Sequence, residues 1–252
     1  MIVLARLVSA AIALLLLGGT VVRAEPAETQ PKAVVELFTS QGCSSCPPAD
    51  ALFVELARNP ELIALTLPVT YWDYLGWKDT LGKDSFAKRQ KYYAKARGDG
   101  QVYTPQAVIN GSSHIVGSDK AEIERAVKPA SGTGFVAALK LSEEAGSLRV
   151  RIAPVDRLSE RTAGVWLVST TRMVTVPIAR GENQGKTVSY ANVVRGLTRI
   201  GDWNGKEAEL TVPLSAIQVP EADSYVVLVQ ADQPGKYGVM PGQILAAARS
   251  AR

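Results

Sequence analysis

Ala33-Val34-Val35-Glu36-Leu37-Phe38-Thr39-Ser40-Gln41-Gly42-Cys43-Ser44-Ser45-Cys46-Pro47-Pro48-Ala49-Asp50 decides how this chain is read. It begins as an apolar run of strand length, Ala33 to Phe38, interrupted only by Glu36. It ends on Pro47 and Pro48, which fit only the first turn of a helix. Ala49, Leu52, Phe53 and Leu56 then recur at i, i+3, i+4 and i+7, an apolar helix stripe. Between strand and helix stands Cys43-x-x-Cys46, and these are the 2 cysteines of the chain. A structural zinc site fills four positions, and no second ligand pair exists. The two thiols are therefore expected to pair with each other, either as an inert staple or as a pair that turns over. A staple across so short a loop constrains few unfolded states and stabilises little. Active thiol–disulfide exchange is the favoured expectation.

Working outward, residues 1–24 read as a secretory signal. Arg6 supplies the positive start, Leu7 to Leu17 the apolar stretch, and Val22-Arg23-Ala24 the cleavage region. The apolar stretch is shorter than the roughly 20 residues a membrane span needs. Cleavage after Ala24 would leave 252 − 24 = 228 residues, with no stable membrane insertion. The expected location is periplasmic or secreted, where disulfides persist. The signal carries two of the 28 basic residues and no acidic ones, so the mature charge is 26 − 24 = +2. No basic run with interleaved aromatics suggests a nucleic-acid partner.

Pro129 to Gly134 is a breaker-rich run that suits a linker. It divides a region 32–130 from a region 135–252. In the first, strand patterns at Ala33 to Phe38, Leu62 to Val69, Gln106 to Ile109 and Ser113 to Val116 alternate with helix patterns. The helices are one after Pro47, a basic one over Asp84 to Arg97, and one opened by Asp119 with Glu122. Asn110-Gly111 is a hairpin turn. The order β-α-β-α-β-β-α is expected to form an α/β domain with a parallel pair followed by an antiparallel hairpin. The second region offers short strands at Val136 to Leu141, Leu148 to Ile152, Val165 to Thr170, Glu207 to Val212, Tyr225 to Gln230 and Ile244 to Ala248. The last of these fits a short helix equally well. A β-rich, sandwich-like arrangement is the default for such a pattern.

Cys43 falls at the start of the helix, where free N–H groups and the macrodipole favour a thiolate, so it is the expected nucleophile. Cys46, one turn further in, is the expected resolving thiol. Ser44 and Ser45 can donate hydrogen bonds to the thiolate without blocking approach. Trp72 and Trp77 belong to a dense aromatic segment, Tyr71 to Trp77, that serves either as core or as a wall beside the disulfide. The single His114 falls just past the hairpin turn. A copper carrier of the Sco type spaces its cysteines by three residues rather than two, so no metal and no cofactor is expected.

This element order, with the C-x-x-C after the first strand and Thr104-Pro105 before the third, resembles the thioredoxin superfamily. The resemblance implies a cis-proline at Pro105 packed against the disulfide, and at Thr104 a backbone offered to an incoming substrate strand. It also implies a buried acid near Glu36 that takes the proton of the resolving thiol. The spacing from Glu36 to Cys43 is one residue longer than that pattern. The other reading of Glu36 is an acid that reaches solvent or caps a backbone group. The opening stretch, together with Trp72-Asp73-Tyr74-Leu75-Gly76-Trp77, Tyr103-Thr104-Pro105-Gln106 and Arg180-Gly181-Glu182-Asn183, is similar to a secreted bacterial family of unknown function numbered 1223. That resemblance implies a thioredoxin-like domain with a β-rich extension and no established activity. The expected function is a thiol–disulfide oxidoreductase or redox partner acting on protein or small-molecule thiols and disulfides. The alternative is a non-catalytic binding module with a structural disulfide.

Overall fold

The computed structural model describes residues 31–128, 134–156, 158, 162–235 and 238–250. The expected signal at 1–24, and the expected linker except Gly134, lie outside these residues. The protein is a mixed α/β structure made mostly of strands. The elements are β1 (Ala33–Thr39), α1 (Pro47–Leu56), β2 (Leu62–Pro68), α2 (Asp84–Arg97), β3 (Gln106–Ile109), β4 (Ser113–Val116) and α3 (Lys120–Ala126). They continue as β5 (Leu139–Glu144), β6 (Ser147–Ile152), β7 (Ala163–Pro177), β8 (Thr187–Trp203), β9 (Ala208–Pro213), β10 (Ser224–Gly235) and β11 (Gly238–Arg249).

β1 is buried along its whole length because helices cover both faces, which is why its sequence is a near-continuous apolar run. Its odd residues Ala33, Val35 and Leu37 pack with Ala49, Phe53 and Leu56 of α1. Its even residues Val34 and Phe38 pack with Phe86 and Tyr93 of α2. β1 and β2 run parallel, while β3 pairs antiparallel with β1 and then with β4. Asn110 and Gly111 take φ of 46° and 68°, the left-handed pair that a two-residue hairpin turn requires. The Asp119 carboxylate accepts the N–H of Glu122 at 2.9 Å and caps α3.

The second half does not build its own separate sandwich. One eight-stranded sheet has the order β11-β10-β7-β8-β2-β1-β3-β4. The two halves meet where β8 lies parallel to β2 at Thr66 and Val193. Thr66 Oγ1 donates to the Ala191 carbonyl at 2.7 Å, and Asn192 Nδ2 donates to the Ala64 carbonyl at 2.9 Å. Val168, Val226, Leu228 and Ile244 share one core with Val34, Phe38 and Phe86, so apolar burial joins the halves. A second, smaller sheet covers the other face of these strands. There the three-stranded sheet β5-β6-β9 sets Leu139, Leu148 and Val150 against Leu167, Val227 and Leu245. Ile244 to Ala248 lies within strand β11 rather than a helix.

Candidate functional site

Cys43 and Cys46 sit between the end of β1 and the start of α1, joined as a disulfide with Cα atoms 5.4 Å apart. The loop before them is held by the Cys43 N–H donating to the Ser40 carbonyl at 3.1 Å. Cys46 occupies the N-cap position of α1 and Pro47 opens the helix. Pro47 and Pro48 carry no N–H, and the amides of Ala49 and Asp50 both donate to the Cys46 carbonyl, so the helix macrodipole rather than free amides favours negative charge beside the sulfurs. The two cysteines differ in access, with 4% of Cys43 exposed and 0% of Cys46. Ser44 and Ser45 are exposed, and Ser45 Oγ lies 3.4 Å from Cys43 Sγ.

The Thr104–Pro105 peptide is cis, and the Thr104 carbonyl oxygen lies 3.8 Å from Cys43 Sγ. Gly117 passes close behind: a Cβ there would come within 2.6 Å of Leu37 Cδ1 and 3.1 Å of Pro105 Cβ. Trp72 Nε1 donates to Thr104 Oγ1 at 2.7 Å, and the Trp72 carbonyl would stand 3.1 Å from a Cβ at Gly42. Trp72 thus bridges the Thr104 side and the Cys43 side of the site. Tyr74 stacks on it with centroids 6.2 Å apart and is 76% exposed. Trp77 Nε1 donates to Gln41 Oε1 at 2.7 Å, bracing the loop rather than facing outward.

Glu36 is not beneath the disulfide. The alternation that sends Ala33, Val35 and Leu37 to α1 sends Glu36 to the opposite face. There Arg89 Nε donates to Glu36 Oε1 at 2.7 Å, and the Tyr93 hydroxyl donates to Oε2 at 2.5 Å. Arg89 Nη2 also reaches Glu36 Oε2 at 3.3 Å and Gln230 Oε1 at 2.9 Å. The lone carboxylate in the strand is explained by an inward-turned cation from a helix that otherwise reads as a basic surface. His114 is held by the Tyr103 hydroxyl, 2.9 Å from Nδ1, and by Asp99, 3.2 Å from Nε2. Burial, followed by the nearby Arg97 charge, lowers its pKa. A neutral ring with the proton on Nε2 satisfies both contacts.

Four residues of the site escape the sequence reading. Asp50 lies one helical turn from Cys46, on the same face of α1, and its N–H donates to the Cys46 carbonyl at 3.1 Å. It is 1% exposed; Thr39 Oγ1 donates to Oδ1 at 2.7 Å, while Oδ2 has no partner. Burial pushes its pKa well above the usual carboxylate range, and the Thr39 hydrogen bond offsets only part of that. The buried Asp79 accepts the Gln41 N–H at 2.8 Å, and desolvation raises its pKa too. The hydroxyl of Tyr190 on β8 is buried without a partner, and its pKa is raised by burial and then by the charges of Asp50 and Asp79. Asn183, in the β7–β8 connection, donates through Nδ2 to the carbonyls of Gln41 (2.9 Å) and Cys43 (2.8 Å). The Asp50 signal was present in the sequence: Cys46, Ala49, Asp50 and Phe53 form an i, i+3, i+4, i+7 stripe. The reach of Asn183 depends on tertiary structure and has no local signal.

The crystal structure of a protein from Agrobacterium tumefaciens, a structural-genomics target, is 31% identical to this chain with a TM-score of 0.75, covering 88% of this chain and 95% of that one. HBP35 of Porphyromonas gingivalis is similar in fold alone, with a TM-score of 0.53 at 14% identity over 88% of this chain and 75% of that one. No curated protein matches. The family model described as "Protein of unknown function (DUF1223)" matches residues 34–230, and the chain belongs to that family.

Proposed function

We propose that the protein is a thioredoxin-like thiol–disulfide oxidoreductase, or the redox partner of one, that works in the periplasm or outside the cell. The observation that carries this reading is Asp50, a buried carboxyl one turn from the resolving cysteine with an unbonded oxygen. An inert staple has no use for an ionisable group whose burial costs stability. Thiol exchange has one, because Cys46 must lose a proton before it attacks.

The reduced protein would act in two steps. The Cys43 thiolate attacks one sulfur of a partner disulfide, forming a mixed disulfide and expelling the partner's first thiolate. Asp50 in its ionised form takes the proton of Cys46, whose thiolate attacks Cys43 Sγ. That step forms the Cys43–Cys46 disulfide, breaks the mixed one and expels the second thiolate. Two electrons pass to the partner, and the oxidising direction is the reverse. The Thr104 carbonyl, 3.8 Å from Cys43 Sγ, lies where a partner backbone would dock, beside the exposed Tyr74. Trp72, Ser44 and Ser45 line the approach.

Differential alkylation and trapping test the reading. In reduced protein, mild iodoacetamide near neutral pH labels Cys43 well before Cys46. The Cys46→Ser variant accumulates mixed disulfides at Cys43 in cells. Equal labelling together with no trapped partner would leave a structural disulfide.

A further inference from the structure

A cavity of about 250 Å³ lies at the seam between the two halves, away from the disulfide. Three arginines line it: Arg58 just after α1, Arg172 on β7 and Arg249 at the end of β11. No acidic side chain does. Arg249 is engaged, donating through Nη2 to the Pro60 carbonyl at 2.8 Å, and so fixes the wall. The exposed guanidinium groups of Arg58 and Arg172 have no ion pair or hydrogen bond among the described residues. The nearby Asp223 spends one carboxylate oxygen on the Arg172 backbone N–H, at 2.9 Å. Thr170 and Ser224 line it with apolar Ile63 and Val226, and the Ser224 hydroxyl lies 3.3 Å from that of Ser250.

Like charges gathered without a counter-ion repel one another, and an oxyanion relieves that repulsion. Guanidinium forks match a phosphate or carboxylate in two-pronged fashion, and the hydroxyls can complete its shell. The volume sits just below the usual range for drug-sized ligands of about 300–1,000 Å³, so the ligand is compact. The apolar floor favours a short apolar body over a bare ion. We infer that this seam binds a small phosphate ester, with Arg58 and Arg172 on the phosphate and the apolar floor under its body. The site joins residues of both halves, so occupancy would tie α1, which carries the cysteines at its other end, to the C-terminal strands.

The test is calorimetric titration of the oxidised full chain with phenyl phosphate and with orthophosphate, in sodium chloride at matched ionic strength. The expected result is saturable one-to-one binding of phenyl phosphate, tighter than that of orthophosphate. Arg58→Gln and Arg172→Gln each weaken it about tenfold, the scale of a lost charged hydrogen bond. Lys88→Gln removes one positive charge from the exposed face of α2 and leaves the affinity unchanged. No saturable binding, an equal loss in Lys88→Gln, or orthophosphate binding as tightly as phenyl phosphate overturns the assignment.

Discussion

Replacing Glu36 by glutamine separates a structural acid from a catalytic one. The substitution keeps volume and shape, so no cavity enters the result. It removes the anion from a pair whose side chains are 1% (Glu36) and 10% (Arg89) exposed. Removing one partner of a buried pair typically costs about 3–5 kcal/mol, because the remaining charge stays buried without compensation. The lower end applies here, since Arg89 Nη2 keeps the Tyr93 hydroxyl at 2.6 Å and Gln230 Oε1 at 2.9 Å. A loss of about 3 kcal/mol lowers the melting temperature of a chain this size by roughly 6–12 °C. Thermal unfolding by circular dichroism reads that shift. Disulfide reduction by dithiothreitol, followed in the same samples, should proceed at the wild-type rate. Glu36→Leu combined with Arg89→Met should recover most of the stability, since apolar replacements of buried pairs are often neutral or better. An unchanged melting temperature with a tenfold slower exchange would refute this account and return Glu36 to the chemistry.

Asp50→Asn should do the reverse. The folded protein holds a proton on Asp50 that the unfolded chain releases near pH 4. Wild-type stability therefore falls with rising pH from there up to the raised folded pKa, by at most about 1.4 kcal/mol per pH unit from this group. The asparagine variant loses that slope and slows resolution of the mixed disulfide by about 10²-fold. Denaturant unfolding at stepped pH checks the first effect and single-turnover exchange the second; parallel stability profiles would remove Asp50 from the mechanism. Asn183→Ala leaves the carbonyls of Gln41 and Cys43 without their donor, so it should cost about 2–4 kcal/mol and speed disulfide reduction by small thiols. An unchanged reduction rate would mean that the clasp does not guard the sulfurs.

The first half of the fold was legible because local signals agreed there. α2 runs from Asp84 to Arg97 as the charge and apolar pattern indicates, and Asn110-Gly111 makes its turn. The 17-residue strand β8 was not legible. Its pairing is broken by register shifts against β7, it contains Gly196 and Gly201, and Asn192 takes a φ of 46°. The joining of the halves was hidden for a related reason. Strand patterns report which faces are buried but not which neighbouring strand buries them. Within the site, the cysteines and Thr104-Pro105 carried local signals, as did the tryptophans. Glu36 misled because burial in a strand does not reveal which helix lies over it, and Arg89 looked like one more surface cation.

Asn183 follows Cys43 by 140 positions. At synthesis rates of about 5–20 residues per second, that is roughly 7–28 s on a growing chain. During that interval both thiols exist without the side chain that later grips their loop. The order of emergence thus gives the loop an open youth and a clasped maturity: the Gln41 and Cys43 carbonyls gain their donor only once the β7–β8 connection has been made and folded back onto them.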